Sequence, residues 1–374
     1  MRFLPLMLLG ILICSADVSA ESQWIYIASP AKQTVIYRAS LDLETGEITD
    51  LEVAATDVKT GFMAVHPQQP ILYAGTTEDA AQGEYNGGVR AYRINTKTGM
   101  LKEFSRGKTE DNGTTHIEVA PNGKVLAVCH YGGEGTSAIP LNGKGELLPT
   151  VSKVHHYGKS VDEKRQQEPH PHGVAFSSNS QYLLVADLGN DHVEVFKVQP
   201  KGQIQQHSYW SAKPGAGPRH ITRHPQREVY YCINELDSTI TVLKFDDRAG
   251  LLTAVQTVNT LPEDFTGGNT TAEVVVHPSG KFVYGSNRGH ESTAVFKINP
   301  ETEELTFVER EPTQGNHPRY VGLDPTGRIF LAANMQSDNL VSFTINSTSG
   351  ELEPTGHQLA VARPMCVVFV PQEK

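Results

Sequence analysis

The residues best suited to chemistry in this sequence stand at the outer ends of short apolar runs. In residues 214–235, Arg219 and His220 precede a run that begins at Ile221. A His224-Pro225 turn follows, and a second run from Val229 to Ile233 leads to Asn234 and Glu235. If the two runs pair as an antiparallel hairpin, their outer ends lie side by side, and Arg219 and Glu235 share one edge of a sheet. An arginine so placed binds a carboxylate or phosphate through two parallel hydrogen bonds. A histidine of near-neutral pKa can take a proton from water.

The same unit recurs as FMAVHPQQPILYAGT (62–76), HIEVAPNGKVLAVCHY (116–131), HGVAFSSNSQYLLVAD (172–187), AEVVVHPSGKFVYGSNR (272–288) and PRYVGLDPTGRIFLAAN (318–334). A third run follows each, such as Ile240 to Phe245 or Thr293 to Ile298, and a Gly-Glu-Leu or Gly-Leu-Leu type turn then opens a fourth. Four short strands repeated roughly every 40 to 55 residues mark a β-propeller blade. The expected fold is therefore all-β: a seven-bladed β-propeller with four antiparallel strands per blade. Repeats start at Trp24, Phe62, His116, His172, His220, Ala272 and Pro318. The first repeat lacks its opening strand, and Pro364 to Val370 resembles one with nothing after it. The C-terminal strand is expected to close the ring by pairing with Trp24 to Ala28. Beyond the N-terminus no window keeps a 3.6-residue apolar period, so almost no helix is expected.

In such a ring, the start of each first strand and the end of each second strand lie on one face. Collected there are His116 with His130, His172 with Asp187, Arg219 and His220 with Glu235, Thr271 with Arg288, and Arg319 with Asn334. Three arginines, a glutamate and several histidines at one mouth of the channel should bind a small anion. Each residue also has a plainer reading. Arg219 and Glu235 could be an ion pair that closes a blade. Asp187, Asn234, Asn287 and Asn334 could be strand caps. His66, His224 and His277 precede hairpin-turn residues at the far end and read as turn residues. His155 and His156 sit in a charged loop and read as solvated. Three long loops, 78–88, 155–169 and 260–271, stand out as candidates for function, and the last two lead into first strands on the face of Arg219.

The chain has 374 residues, and length alone would suggest two or three domains. The repeats override that, because blades stack into one ring. Residues 1–20 read as a secretory signal: Arg2, an apolar core from Leu4 to Ile13, and a small-residue site at Val18-Ser19-Ala20. Ile13 is bulky where a lipoprotein site before Cys14 wants a small residue. Residues 21–374 then form a single propeller domain, secreted or periplasmic and without a membrane span. Cleavage would leave Cys129, Cys232 and Cys366, all inside apolar runs and read as buried thiols. A net charge of −10 argues against a nucleic-acid partner. His170 and His172 could begin a metal pair, but no third or fourth ligand follows, so neither metal nor cofactor is expected. No Gly-x-Ser-x-Gly elbow appears, and direct attack by water is the simpler chemistry.

Several long motifs carry a resemblance: HPHGVAF (170–176), ADLGNDHVEVF (186–196), GAGPRHITRHP (215–225), INELDSTITV (233–242), TLPEDFTGGNTTAEVVVHPSGKFVYGSNRGH (260–290) and NHPRYVGLDPTGRIFLAANMQSDN (316–339). They closely resemble the seven-bladed lactonase family, which includes propeller-type 6-phosphogluconolactonases and fungal carboxymuconate-lactonising enzymes. The resemblance runs over essentially all of residues 24–370 and is looser in the first two blades. It implies an active site at one channel mouth built from His172, Arg219, Glu235 and Arg288, with Arg319 and His116 nearby. His220 and Asn334 are added as substrate-binding candidates from their position. Three positions depart from the family pattern: His130 replaces the Asn of Asn-Tyr-Gly-Gly, Met335 the Gln after Asn334, and Gly268 a Glu of the long loop. The last two remove polar groups from the mouth.

The expected function is a secreted hydrolase acting on a sugar-type lactone, aldono- or 6-phosphogluconolactone-like, in carbohydrate metabolism. Arginine would hold the tail or the developing oxyanion, and His172 and Glu235 would exchange the protons. The partner is then a small anionic or polyhydroxy lactone, and the protein a monomer. Two alternatives stay open: a muconate-type lactonising cycloisomerase, and a propeller that binds a ligand without turning it over.

Overall fold

Apolar runs bounded by turns become strands here because each blade is covered on both faces by its neighbours. The second strands of five blades, Val125–His130, Tyr182–Asp187, Val229–Asn234, Phe282–Arg288 and Ile329–Asn334, are buried at every position. A strand buried on both faces needs side chains that pack on each side, which is why these segments read as unbroken runs. The outermost strands, such as Ile204–Ser211 and Leu251–Asn259, have exposed polar residues throughout.

The computed structural model describes residues 22–31, 34–133 and 135–372; the leader expected at 1–20 lies outside the described residues. The described chain forms seven sheets of four antiparallel strands and contains no helix. The first strands of blades 2 to 7 are Thr60–Val65, His116–Val119, Pro171–Phe176, Pro218–Arg223, Thr270–Val276 and Pro318–Leu323. Blade 1 is made from both ends of the chain. Cys366–Pro371 pairs with Ser22–Pro30, with Ala28 opposite Cys366 and Gln23 opposite Pro371, and Thr34–Asp42 and Ile48–Thr56 complete the sheet. The expected closure is thus present.

Seven apolar clusters hold the ring, one between each pair of neighbouring blades. The two-residue period of a strand sends alternate side chains to different clusters. From one strand of blade 5, Tyr230 and Cys232 pack toward blade 4, while Val229, Tyr231 and Ile233 pack toward blade 6. Cys129, Cys232 and Cys366 are buried free thiols, as expected. The turn histidines do more than fill turns. Nε2 of His66, His224 and His277 lies 3.2, 3.0 and 2.9 Å from the carbonyl oxygens of Gly123, Gly280 and Gly327, each in the next blade. They staple neighbouring blades on the face opposite the arginines.

A local irregularity matters most for function. In blades 2, 4, 5, 6 and 7 the pairing between first and second strands shifts near the start of the first strand: between Thr60 and Phe62, Pro171 and Gly173, Pro218 and His220, Thr271 and Val274, and Pro318 and Tyr320. Such bulges redirect the extra residue's side chain. The residues inside them include His172, Arg219, Glu273 and Arg319. Blade 3 has no such shift, and His116 pairs in register with Cys129.

Closure from both termini makes a direct prediction. Cys366, Val367 and Val370 are buried in blade 1 and its clusters, and each such side chain contributes about 1.5–3 kcal/mol. Deleting residues 362–374 should therefore lower the urea midpoint sharply and expose an unpaired edge. A truncated chain that unfolds with the full-length midpoint would contradict the closure.

Candidate active site at the propeller mouth

The bulged first strands bring their polar residues to a cavity of about 130 Å³ in the channel, lined by Gly61, Phe62, Thr114, Thr115, His172, Arg219, His220, Arg319 and Met365. At about 30 Å³ per water, that is room for roughly four waters. Phe62 and Met365 give it an apolar wall, while two arginines and two histidines give it polar groups. The blade 4 strand can come this close to blade 5 because residue 173 is glycine: a Cβ there would lie 2.6 Å from the Arg219 carbonyl oxygen and 2.8 Å from the His220 Cα.

Behind this cavity one carboxylate organises the charge. Nε of Arg219 donates to Glu235 at 2.9 Å, Arg288 reaches the same oxygen at 3.0 Å, and Arg165 donates to the other at 2.8 Å. Arg219 and Arg288 are further fixed by donating to the carbonyls of Ala272 and Thr271. The pairing of Arg219 with Glu235 across a hairpin was legible from sequence, but its burial was not: their side chains are 2% and 5% exposed. Burial alone would raise the Glu235 pKa; Arg288, Arg219 and Arg165 together outweigh it and hold the carboxyl at about 2. Burial, with Arg288 and Arg319 nearby, brings Arg219 down to about 9, so both members are charged at neutral pH.

Arg319 is different. It lines the cavity half-buried and makes no hydrogen bond or close ion pair among the described residues. Burial and the neighbouring Arg288 lower its pKa to about 10. A guanidinium left this way has donors that no protein group fills.

The histidines form a contiguous set. His172 and His220 meet edge to face at 5.1 Å between ring centroids, and His220 and His116 at 4.8 Å. Burial first, then Arg219 for His172 and His220 and the neighbouring His220 for His116, lowers all three pKa values well below 6.5. They are neutral imidazoles at neutral pH. Nδ1 of His172 is buried and has no partner. His220 Nδ1 lies 2.8 Å from Oε1 of Glu273. His116 packs against Phe62 with the rings tilted and their centroids 4.0 Å apart, and belongs to the wall of a second cavity of about 380 Å³.

Of the expected site residues, the structure gathers His172, Arg219, His220 and Arg319 on one cavity, with Glu235 and Arg288 directly behind Arg219. His116 lines the second cavity instead. Asn334 does not line the cavity; its Nδ2 donates to the Thr313 carbonyl at 2.8 Å, a contact that caps the blade. Asp187 and Asn287 also engage in buried bonds at strand ends. His130, expected beside His116 at the mouth, points instead between strands and contacts the Gly113 carbonyl and Ser137. The in-register pairing of blade 3 places it one residue beyond the partner of His116, and therefore on the other face. His156, expected to be solvated, is buried: its Nδ1 is 2.8 Å from Asp187 and its Nε2 2.9 Å from Thr136.

Two site residues were missed. Arg165 comes from the long 155–169 loop, where its guanidinium also meets the Tyr131 hydroxyl at 3.2 and 3.3 Å. The loop's length was a signal, but nothing singled out this arginine from its charged neighbours. Glu273 stands inside the run Ala272 to Val276. A lone carboxylate in an otherwise apolar strand was the signal available. Among the described residues, no three His, Cys, Asp or Glu side chains converge as a metal cage.

Comparison with known proteins places the fold. The sequence profile described as lactonase, 7-bladed β-propeller, matches residues 24–369. A 6-phosphogluconolactonase of Bacillus subtilis is 33% identical, over 90% of this chain and 95% of its own. The structure of a periplasmic gluconolactonase of Pseudomonas aeruginosa superimposes with a TM-score of 0.87 at 25% identity, covering 94% of this chain and all of that one. A protein from Bacteroides uniformis, described as a putative 6-phosphogluconolactonase, gives 0.85 at 26% identity, with 94% of this chain covered. The chain belongs to the seven-bladed β-propeller lactonase family.

Proposed function

We propose that the protein hydrolyses a sugar-type lactone in the arginine- and histidine-lined cavity at the propeller mouth. The observation that carries this reading is the unpaired Arg319 guanidinium beside Arg219, His172 and His220. Opening a lactone with water creates an oxyanion on the carbonyl oxygen and then a carboxylate. Fixed cations in a water-poor site stabilise both strongly, because they need not reorganise as the charge develops. Three guanidiniums share the Glu235 carboxylate and Arg319 stands unpaired beside them, so the arginines outnumber the carboxylates of Glu235 and Glu273 and the mouth retains positive charge for a substrate anion. A phosphate or carboxylate on the sugar would strengthen binding through the same groups.

The roles follow from placement. Arg319 and Arg219 face the lactone carbonyl and its developing charge. Arg288 and Glu235 fix the Arg219 fork, and Glu235 acts as an ionised counter-charge. His172 offers a neutral imidazole for a hydrogen bond to the ring oxygen. The attacking water gives its proton to a neutral imidazole of the cavity. The likeness to a periplasmic gluconolactonase and the leader read at residues 1–20 favour action outside the cytoplasm.

Three measurements test this. Arg319→Gln removes an uncompensated charge, so the variant should be at least as stable as the parent in urea. Loss of one charge-assisted contact should lower kcat/KM by about 30- to 150-fold, equivalent to about 2–3 kcal/mol. Arg219→Lys keeps the charge but loses the fork, and should not restore activity. A variant of Arg319 with full activity would remove the main support for the anion site. Hydrolysis should also persist in excess chelator; loss restored by calcium or zinc would contradict metal-free chemistry.

Glu235 sets a further test. Glu235→Gln strands buried guanidiniums and should cost about 3–5 kcal/mol of stability. Arg165→Gln removes only the partly exposed partner and should cost at most about 1 kcal/mol. The folded pKa of Glu235 lies below its unfolded value, so its contribution is complete above pH 4.5 and is lost as pH falls toward about 2. The stability gap between parent and Glu235→Gln, followed by urea unfolding, should shrink across that window. A gap that stays constant from pH 6 to pH 2.5 would contradict the ionised counter-charge.

A further inference from the structure

Lactone hydrolysis moves protons at two points. One leaves the attacking water, and one must reach the ring oxygen as its bond to the carbonyl carbon breaks. Glu235, held ionised by three guanidiniums, has no proton to give. On His172, Nδ1 is buried without a partner, and no contact fixes which nitrogen carries the hydrogen.

His220 is better defined. It lines the cavity, and its Nδ1 sits 2.8 Å from Oε1 of Glu273. Glu273 is 5% exposed and lies where the pairing of the blade 6 hairpin shifts, between Thr271 and Val274. Its Oε1 also accepts from the Val274 N–H at 3.1 Å, while its Oε2 is buried with no hydrogen-bond partner. A buried carboxylate with an unfilled oxygen is costly for a fold to keep. A purely structural partner for His220 would need only a neutral acceptor. Burial raises the Glu273 pKa to about 7, against the pull of His116, Arg219 and Arg319; in its ionised form Glu273 requires the hydrogen on Nδ1 of His220. Nε2 then presents a lone pair. A carboxylate that fixes an imidazole's tautomer in this way also stabilises the imidazolium that forms on protonation.

We propose that His220 is the base that draws the proton from the attacking water, and that Glu273 is the positioning residue that holds its Nδ1–H and leaves Nε2 free toward the cavity. This rests on the lactonase reading. An O–H bond of water breaks, its oxygen bonds to the carbonyl carbon, and the proton passes to Nε2. As the tetrahedral centre collapses, the bond from carbon to ring oxygen breaks, and the ring oxygen takes that proton from Nε2. The imidazole ends as it began, and a hydroxy acid is released.

His220→Ala should lower kcat by about 10²- to 10⁴-fold, and imidazole added to the buffer should restore part of the rate. Glu273→Gln keeps the shape and should lower kcat by about a hundredfold or more, with KM within threefold of the parent. Nitrogen-15 NMR of the unmodified protein reads the tautomer without any variant having to fold: His220 should carry hydrogen on Nδ1 and none on Nε2 at neutral pH. The opposite tautomer, a Glu273→Gln variant with parental kcat, or a folded His220→Ala variant that imidazole does not rescue would each overturn the assignment. If the parent chain hydrolyses lactones and His220→Ala keeps its rate, the base assignment alone falls. If the parent is inert on every lactone, the lactonase reading falls and this assignment with it.

Discussion

The mouth of this propeller depends on the Glu235 carboxylate, which three guanidiniums from three parts of the chain share. Arg219 lies on the same hairpin, Arg288 on the next blade, and Arg165 on a loop from the blade before. A buried arginine pair without a counter-charge would repel and would tend to lose its protons or its burial. Glu235 removes that penalty for Arg219 and Arg288 while leaving the cluster short of negative charge. The deficit falls on Arg319, which faces the cavity without a partner. Stability and the anion affinity we propose thus rest on the same uneven distribution of charge: enough carboxylate to fold around, too little to neutralise the mouth.

The ring supplies the rigidity this needs. Seven apolar clusters fix neighbouring blades, histidine staples tie their turns on the far face, and the chain ends meet in blade 1. Two of these features reach the cavity: Phe62 packs on two of the clusters and Met365 precedes the closing strand, and both line its wall. The bulges near the starts of the first strands translate that frame into chemistry. They turn His172, Arg219 and Arg319 out of the pairing pattern, and Gly173 allows two of those strands to approach closely.

Most of the ring was legible in the sequence because fully buried strands must be continuously apolar, and hairpin turns recur at fixed places between them. Ring closure was legible because Pro364 to Val370 had the composition of a first strand and nothing to follow it. The mouth was legible in outline, since hairpin geometry alone puts Arg219 beside Glu235. What was hidden was register. A one-residue difference sends a side chain to the opposite face, so His130 looked like a mouth residue and is packed between strands. Loop contacts were hidden as well. Arg165 and His156 lie nine residues apart in one charged loop, and only the fold decides that one reaches Glu235 and the other is buried against Asp187. Glu273 was visible as an odd carboxylate in an apolar run, but its meaning depends on His220 arriving from a different blade.

The central claim is that this mouth opens lactones with water. The most direct measurement is pH-stat titration of the chain from residue 21 on a panel of aldonolactones, with and without a phosphate group. The account predicts acid release well above the spontaneous rate for at least one sugar-type lactone, suppressed by the product's own carboxylate as it competes for Arg219 and Arg319. A folded protein that releases no acid above background from any of them would contradict it.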